Sequence, residues 1–312
     1  MEYRQMGKSG LKLSELSFGS WITFGNDLDI HAARECMYAA YENGVNFFDN
    51  AEVYGSGVSE LIMGEVLKEF SREQFVVSTK LFWGGSGVND TGLSKKHIYE
   101  GIRNSLKRLQ LDYIDLLFCH RPDTSTPIEE TVRAMDEAVK QGVVLYWGTS
   151  EWSANEILDA YKIAEKINAV PPSMEQPEYN MFNRKKVETE FLPLYKKYGL
   201  GTTTWSPLLS GVLTGKYNQG IPEDSRLSKQ KQLQTVLSKE RIEKVKKLTE
   251  IAGDLNCTMA QLAIAWCLLN PNVSTVILGA SKKEQVLENL KAVDIKNQIT
   301  NEISKEIEKV LK

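Results

Sequence analysis

Histidine is scarce, with only His31, His97 and His120 in a chain of 312 residues. A metal-dependent hydrolase needs several histidines or clustered carboxylates as ligands, and two of these three fall at apparent helix starts, so no metal site is expected. The four cysteines, Cys36, Cys119, Cys257 and Cys267, are scattered without a CxxC pair. That excludes a disulfide or zinc framework and fits reduced thiols in a cytosolic protein. Long apolar runs are missing as well. The longest, around 262–269, is too short to span a bilayer, and Met1-Glu2-Tyr3-Arg4-Gln5 has no apolar leader core, so a cytoplasmic chain that is not membrane-inserted is expected. A formal net charge of -3, with Lys and Arg spread along helices, leaves no basic footprint for nucleic acid. Finally, no Gly-x-Gly-x-x-Gly turn follows the first strand. Gly19-Ser20-Trp21-Ile22-Thr23 is not one and Gly55-Ser56-Gly57-Val58-Ser59-Glu60 lacks the third glycine, which argues against a doubly wound dinucleotide fold.

What is present is a repeated unit. With 42% hydrophobic residues there is ample material for a core. Residues 3–6 and 11–13 flank Gly7-Lys8-Ser9-Gly10 as a small hairpin. Strands are then read at 16–19, 47–49, 76–80, 114–120, 144–148, 172–176, 200–206 and 274–279. Helical patterns at 31–43, 59–69, 94–109, 127–140, 153–167 and 187–198 separate the first seven, with Ser94 as an N-cap and Gly44 and Gly142 as C-terminal stops. Two further helices, 239–255 and 259–269, precede the eighth strand, and an amphipathic pattern closes the chain at 301–311. Eight βα units without a Pro/Gly/Ser-rich linker predict an α/β fold, a (β/α)8 TIM barrel with an N-terminal hairpin and extra C-terminal helices, as one domain over 1–312.

Chemistry sits at the strand tips. Phe47-Phe48-Asp49-Asn50-Ala51-Glu52-Val53-Tyr54 is an apolar strand ending in an acid with a tyrosine five residues on; the third strand ends in Lys80 and the fourth in His120. In a barrel the carboxyl ends of strands converge on the active-site face, so Asp49, Lys80 and His120 are expected around the Tyr54 phenol. A free tyrosine titrates near roughly 10. A neighbouring ammonium is expected to lower that value while a carboxylate holds the ammonium in place. Tyr54 is then the proton donor to a carbonyl oxygen as hydride arrives at its carbon, and His120 orients the carbonyl.

On these residues the chain resembles the aldo-keto reductases, and more narrowly the branch of voltage-gated potassium channel β subunits and their bacterial relatives. Asp49-Asn50-Ala51-Glu52-Val53-Tyr54, Ser78-Thr79-Lys80, Arg121-Pro122-Asp123, Tyr146-Trp147-Gly148-Thr149-Ser150, Glu175-Gln176, Trp205-Ser206-Pro207-Leu208 and Leu278-Gly279-Ala280-Ser281 carry the resemblance over nearly the full length. It implies a tetrad of Asp49, Tyr54, Lys80 and His120 and a bound NADP(H). Ser20, Trp21 and Asp49 are implied as cofactor contacts, with Ser150 and Gln176 on the nicotinamide carboxamide. Trp205, Ser206, Pro207, Leu208 and Ser210 would line the pyrophosphate, Lys216 and Arg226 would reach phosphate oxygens, and Gly279, Ser281, Gln285, Glu288 and Asn289 would surround the adenosine end. The residues themselves add that Ser281-Lys282-Lys283-Glu284 reads as a capping-box helix start with two cations.

The resemblance also has departures. His120 stands where animal channel subunits typically carry Asn, which implies a chain committed to turnover. Glu151 stands where the branch often has Arg beside the serine, and Asp224 replaces an aromatic near Arg226, so acids are expected to reshape cofactor binding. Homotetramers and a potassium channel partner are implied by the branch, although the hairpin begins almost at Met1 and no long channel-blocking extension is expected before it. An aromatic mouth of Trp21, Phe24, Trp83 and Trp152, with Tyr179 and Phe182, suits a hydrophobic or aromatic aldehyde or ketone.

Overall fold

The computed structural model describes residues 1–21, 24, 29–223 and 225–312, the side chains of Arg226, Lys229, Lys231 and Gln232 lying outside that description. The hairpin forms as β1 (Tyr3–Gln5) and β2 (Lys12–Ser14), paired antiparallel. Eight parallel strands follow: β3 (Leu16–Gly19), β4 (Phe47–Asp49), β5 (Val76–Leu81), β6 (Ile114–Cys119), β7 (Val144–Ser150), β8 (Met174–Gln176), β9 (Gly201–Thr204) and β10 (Thr275–Leu278). They close in chain order, β10 pairing with both β9 and β3, so the fold is a (β/α)8 barrel. Around it lie α1 (Ile30–Glu42), α2 (Val58–Leu67), α3 (Lys95–Leu109), α4 (Ile128–Lys140), α5 (Ala154–Ile167) and α6 (Leu192–Tyr198). The remainder are α7 (Arg226–Lys229), α8 (Lys239–Asp254), α9 (Met259–Leu268), α10 (Lys283–Leu290), α11 (Ala292–Lys296) and α12 (Asn301–Leu311).

Period-two alternation along each strand sorts side chains between the barrel interior and the helices. Phe47, Val76, Leu116, Phe118, Met174 and Ile277 point inward and meet Met6 and Leu13 of the hairpin, which plugs the amino-terminal end of the barrel. The hairpin is fastened by Arg4, which donates to Glu15 at 3.2 Å and to the backbone carbonyl of Leu268 at 2.7 Å, and by Lys296 on Glu15 at 2.7 Å. One or two steps further along the same inward rows the side chains become polar: Asp49, Ser78, Lys80, Gln176 and Thr203 hydrogen-bond one another. The barrel interior thus runs from an apolar floor to a polar ceiling at the carboxyl ends of the strands, where barrel active sites lie.

Two local expectations are corrected. The helix read at 187–198 is broken: a π-turn, Lys186–Glu190, precedes α6, whose first turn contains Pro193. Proline has no N–H to give to a preceding turn, so a single α-helix cannot run through that position. The expected capping box at Ser281 does not form, because α10 starts at Lys283 with Lys282 as N-cap and no side-chain cap bond. Ser281 is therefore one residue too early; Gln285 reaches back instead, its Oε1 accepting from the Ser281 N–H at 2.9 Å and from its hydroxyl at 3.2 Å. Among the described residues no single helix is long and apolar enough to cross a membrane; α8 and α9 reach the length only as a pair bent by 89°.

Gly148 marks the closest approach of two strands. A Cβ there would lie 2.1 Å from the backbone carbonyl oxygen of Met174 and 2.8 Å from Met174 Cγ, so β7 and β8 would have to separate. Gly148→Ala is expected to destabilise the fold by about 3 kcal/mol, measured as a lowered midpoint in guanidinium unfolding.

Candidate active site

At the polar end, Asp49 ends β4 and lies 3% exposed, while Lys80 on the neighbouring β5 is fully buried. Lys80 Nζ donates to Asp49 Oδ2 at 2.7 Å, to the backbone carbonyl of Asn50 at 2.7 Å and to the Tyr54 hydroxyl at 3.1 Å. All three ammonium protons have acceptors, the condition under which an ion pair is tolerated in a protein interior. Asp49 Oδ1 accepts from Ser78 Oγ at 2.7 Å and Gln176 Nε2 at 2.9 Å. Tyr54 is placed by the three residues after it: Gly55, Ser56 and Gly57 all have left-handed backbone (φ 56°, 53° and 91°) and turn the chain sharply into α2.

His120, the residue after β6, is 6% exposed, its ring centroid 5.8 Å from Tyr54 and 5.2 Å from Trp83. Its Nδ1 is buried with no partner. Burial, with the Lys80 and Arg121 cations adding to it, holds His120 well below the ordinary histidine range, so the imidazole is neutral at physiological pH. Burial would lower the Lys80 ammonium, but Asp49 and Tyr54 overcome it and leave its pKa raised. The expected lowering of the tyrosine is corrected: burial outweighs Lys80, and the Tyr54 pKa is raised. The phenol therefore keeps its proton through neutral pH, and Lys80 counts when negative charge develops on that oxygen.

The structure brings the four strand-tip residues together with Ser20, Ser150 and Gln176. Ser20 Oγ donates to the carbonyl of Asp49 at 3.2 Å and accepts from Ser59 Oγ at 2.8 Å; Ser150 Oγ donates to the carbonyl of Gln176 at 3.1 Å. Trp21 is 40% exposed and packs edge-on against Trp205 at 5.5 Å. Beyond Trp205 the backbone is left-handed at Ser206, Leu209, Ser210 and Gly211, a run of turns after β9 that also takes in Pro207 and Leu208. Lys216 beside it is exposed, with Nζ 5.2 Å from the Tyr217 ring. Gly279, after β10, is exposed, and a Cβ there would meet nothing within 4 Å. Open space at Gly279 and the left-handed turns after β9 suit a long anionic nucleotide across the end of the barrel. Gln285 and Glu288 are exposed and Asn289 is buried on α10. The side chain of Arg226, and Asp224 altogether, lie outside the described residues.

The expected aromatic mouth narrows. Phe24 is fully buried with its ring 6.1 Å from Phe18, and Trp152 and Tyr179 are 2% and 1% exposed. These three belong to the core. Position just after a strand does not fix which way a ring turns, and near Trp152 the left-handed Glu151 (φ 61°) redirects the chain. Trp83, 37% exposed, and Trp21 remain at the surface, and Phe182 is half-buried with the Arg241 guanidinium 5.5 Å from its ring.

Glu151 is the residue whose role the sequence did not reveal. Its Oε1 accepts from the Glu178 N–H at 2.6 Å and from Trp205 Nε1 at 3.0 Å, while Oε2 pairs with Lys186 Nζ at 2.6 Å. The acid is thus compensated within the chain and braces Trp205. A second unanticipated contact is Glu52, two residues before Tyr54, whose Oε1 accepts from the Phe82 N–H at 2.7 Å and lies 3.0 Å from His97 Nε2. It ties the Tyr54 loop to the Trp83 loop and to α3. Among the described residues no group of three or more His, Cys, Asp or Glu could hold a metal ion.

The sequence profile described as "Aldo/keto reductase family" matches residues 15–312. The chain belongs to the aldo/keto reductase family. A "Probable voltage-gated potassium channel subunit beta" of Oryza sativa subsp. japonica is 55% identical over 317 residues, covering 100% of this chain and 97% of that protein. A protein of the same description from Arabidopsis thaliana is 56% identical over 317 residues, with the same coverage. Membership implies an oxidoreductase of a family that generally binds NADP(H).

On the outer face of β8, behind Gln176, Glu175 is fully buried. Thr149 Oγ1 donates to its Oε2, and its Oε1 has no partner. Burial raises its pKa to about 8, against 4.5 in an unfolded chain. The folded state therefore keeps a proton that the unfolded state loses between those values, and stability falls as pH rises across that window. Relative to Glu175→Gln, which cannot ionise, the native chain is expected to lose stability progressively from pH 5 to pH 8 in urea unfolding. Parallel curves for the two proteins would contradict a buried neutral carboxyl.

Proposed function

We propose that this chain reduces aldehydes and ketones to alcohols with NADPH. The reading rests on one observation above others: a fully buried ammonium held 2.7 Å from Asp49 and 3.1 Å from the Tyr54 hydroxyl at the open end of the barrel. When bound, the dihydronicotinamide supplies a hydride to the carbonyl carbon. Tyr54 donates its proton to the carbonyl oxygen, and Lys80 stabilises the phenolate that remains, since an opposite charge at this distance in a dry site is strongly favourable. Asp49 keeps Lys80 charged and placed. His120, neutral, has a polar ring edge with which to orient the substrate oxygen. Ser150 and Gln176 are assigned to the nicotinamide carboxamide, the turns after Trp205 with Lys216 and Arg226 to the phosphates, and Gly279, Ser281, Gln285, Glu288 and Asn289 to the adenosine end. Trp21 and Trp83 border the substrate.

The names of the two plant relatives favour a second reading, in which the chain is a cytoplasmic, homotetrameric β-like subunit that reports nicotinamide redox state to a potassium channel and turns over slowly. The two readings separate on Tyr54→Phe. As a reductase the native chain consumes NADPH with an aromatic or aliphatic aldehyde, and the variant loses roughly 10²–10⁴-fold in kcat with NADPH affinity retained. If the native chain binds NADPH tightly yet oxidises it no faster than Tyr54→Phe, the sensing subunit becomes the better account. Tighter binding of NADPH than NADH is expected if Lys216 or Arg226 reaches the 2′-phosphate, and equal affinities would remove both from that phosphate.

A further inference from the structure

Arg121 follows His120 directly and is half-buried at the lip of the site. One of its nitrogens, Nη1, donates to the backbone carbonyl of His120 at 2.5 Å and lies 3.5 Å from Ser150 Oγ. Its Cζ is 5.6 Å from the Trp83 ring, which packs on His120 at 5.2 Å, which in turn packs on Tyr54 at 5.8 Å. The guanidinium is therefore part of the same wall as the proton donor, and its charge is felt by both Tyr54 and His120.

Most other partly buried arginines among the described residues have carboxylates: Arg4 pairs with Glu15, Arg34 with Glu69, Arg72 with Asp115, Arg108 with Glu60, and Arg184 with Glu188 and Glu308, while Arg241 instead donates to the Val236 carbonyl and lies over the Phe182 ring. Among the described residues Arg121 has none. Asp123, two residues on, and Glu151, the neighbour of Ser150, are already engaged. Asp123 accepts from the Leu93 N–H at 2.7 Å and from Ser125 and Thr126, and Glu151 serves Lys186 and Trp205. A guanidinium carries five N–H donors in a planar fork, and here Nη1 is anchored to protein while no carboxylate among the described residues pairs with the group.

Resting on the reductase reading above, we propose that Arg121 receives a carboxylate on the substrate, so that the favoured carbonyl compounds are oxo acids and carboxyl-bearing aldehydes. A planar carboxylate matches the remaining fork in a two-bond geometry. The contact at the His120 carbonyl and the Trp83 face hold the guanidinium in place before substrate arrives, so little side-chain freedom is lost on binding.

The test compares 4-formylbenzoate with its methyl ester, which differ in charge at nearly the same shape, as substrates with NADPH for the native chain, Arg121→Lys and Arg121→Gln. The native chain is expected to prefer the acid in kcat/KM. That preference should fall about tenfold or more in Arg121→Gln, through KM more than kcat, and return in part in Arg121→Lys. If acid and ester lose equally, Arg121 only supports the backbone or the cofactor and the inference is overturned. Should neither aldehyde turn over, the reductase reading fails on its own, and calorimetric binding of 4-formylbenzoate decides this one: native binding lost in Arg121→Gln supports it, and no native binding overturns it.

Discussion

The ion pair between Asp49 and Lys80 is the constraint on which the rest of the site depends. Removing two charges from water costs several kcal/mol per ion even after relaxation, and the cost is offset only where every donor and acceptor is met. Here the ammonium has three acceptors and Asp49 accepts from Ser78, Lys80 and Gln176. Those partners come from β4, β5, β8 and the Tyr54 loop. A slip of β5 by one residue would turn Lys80 toward the helices and place Thr79 and Leu81 inside, leaving a buried carboxylate unpaired. The pair therefore sets the register of the strands and the position of Tyr54 at the same time.

The pair also shapes the protonation states around it. Burial alone would make Tyr54 a very weak acid and Lys80 a poor cation; with Asp49 beside it the lysine stays charged, and the tyrosine stays protonated. His120 is pushed the other way by burial and by the same cations, and so adds a neutral polar edge without a competing charge. The polar end of the barrel thus holds a protonated phenol among fixed charges.

The βα alternation made the barrel legible, and strand alternation with the resemblance made the strand tips legible. Leu16–Gly19 and Asn301–Leu311 are found where the pattern placed them. What the pattern cannot carry is direction within irregular chain. Phe24, Trp152 and Tyr179 read as a mouth because they follow strands, yet each ring turned into the core; Pro193 broke a helix whose apolar spacing looked continuous; and α10 started two residues after the serine chosen as its cap. Tyr54 failed for another reason, since the balance of burial against a nearby cation depends on depth, which a sequence does not record. Ser78, by contrast, was within reach: it stands two residues before Lys80, so period-two alternation puts both on one face.

Charge at the mouth follows from which ions are already matched. Asp49 neutralises Lys80 and Lys186 neutralises Glu151, so neither pair projects a net charge into the cleft. The acid at position 151 is thus neutralised within the chain, and it has a structural task, bracing Trp205, whose ring packs edge-on against Trp21. Arg121 and Lys216 belong to the cations without a carboxylate partner among the described residues, one beside His120 and one by the turns after β9. A field of that sign draws anions to both ends of the groove. On the proposed reading the cofactor phosphates meet the charge at Lys216, while the charge at Arg121, on the Trp83 side of His120, is left for an anion of its own.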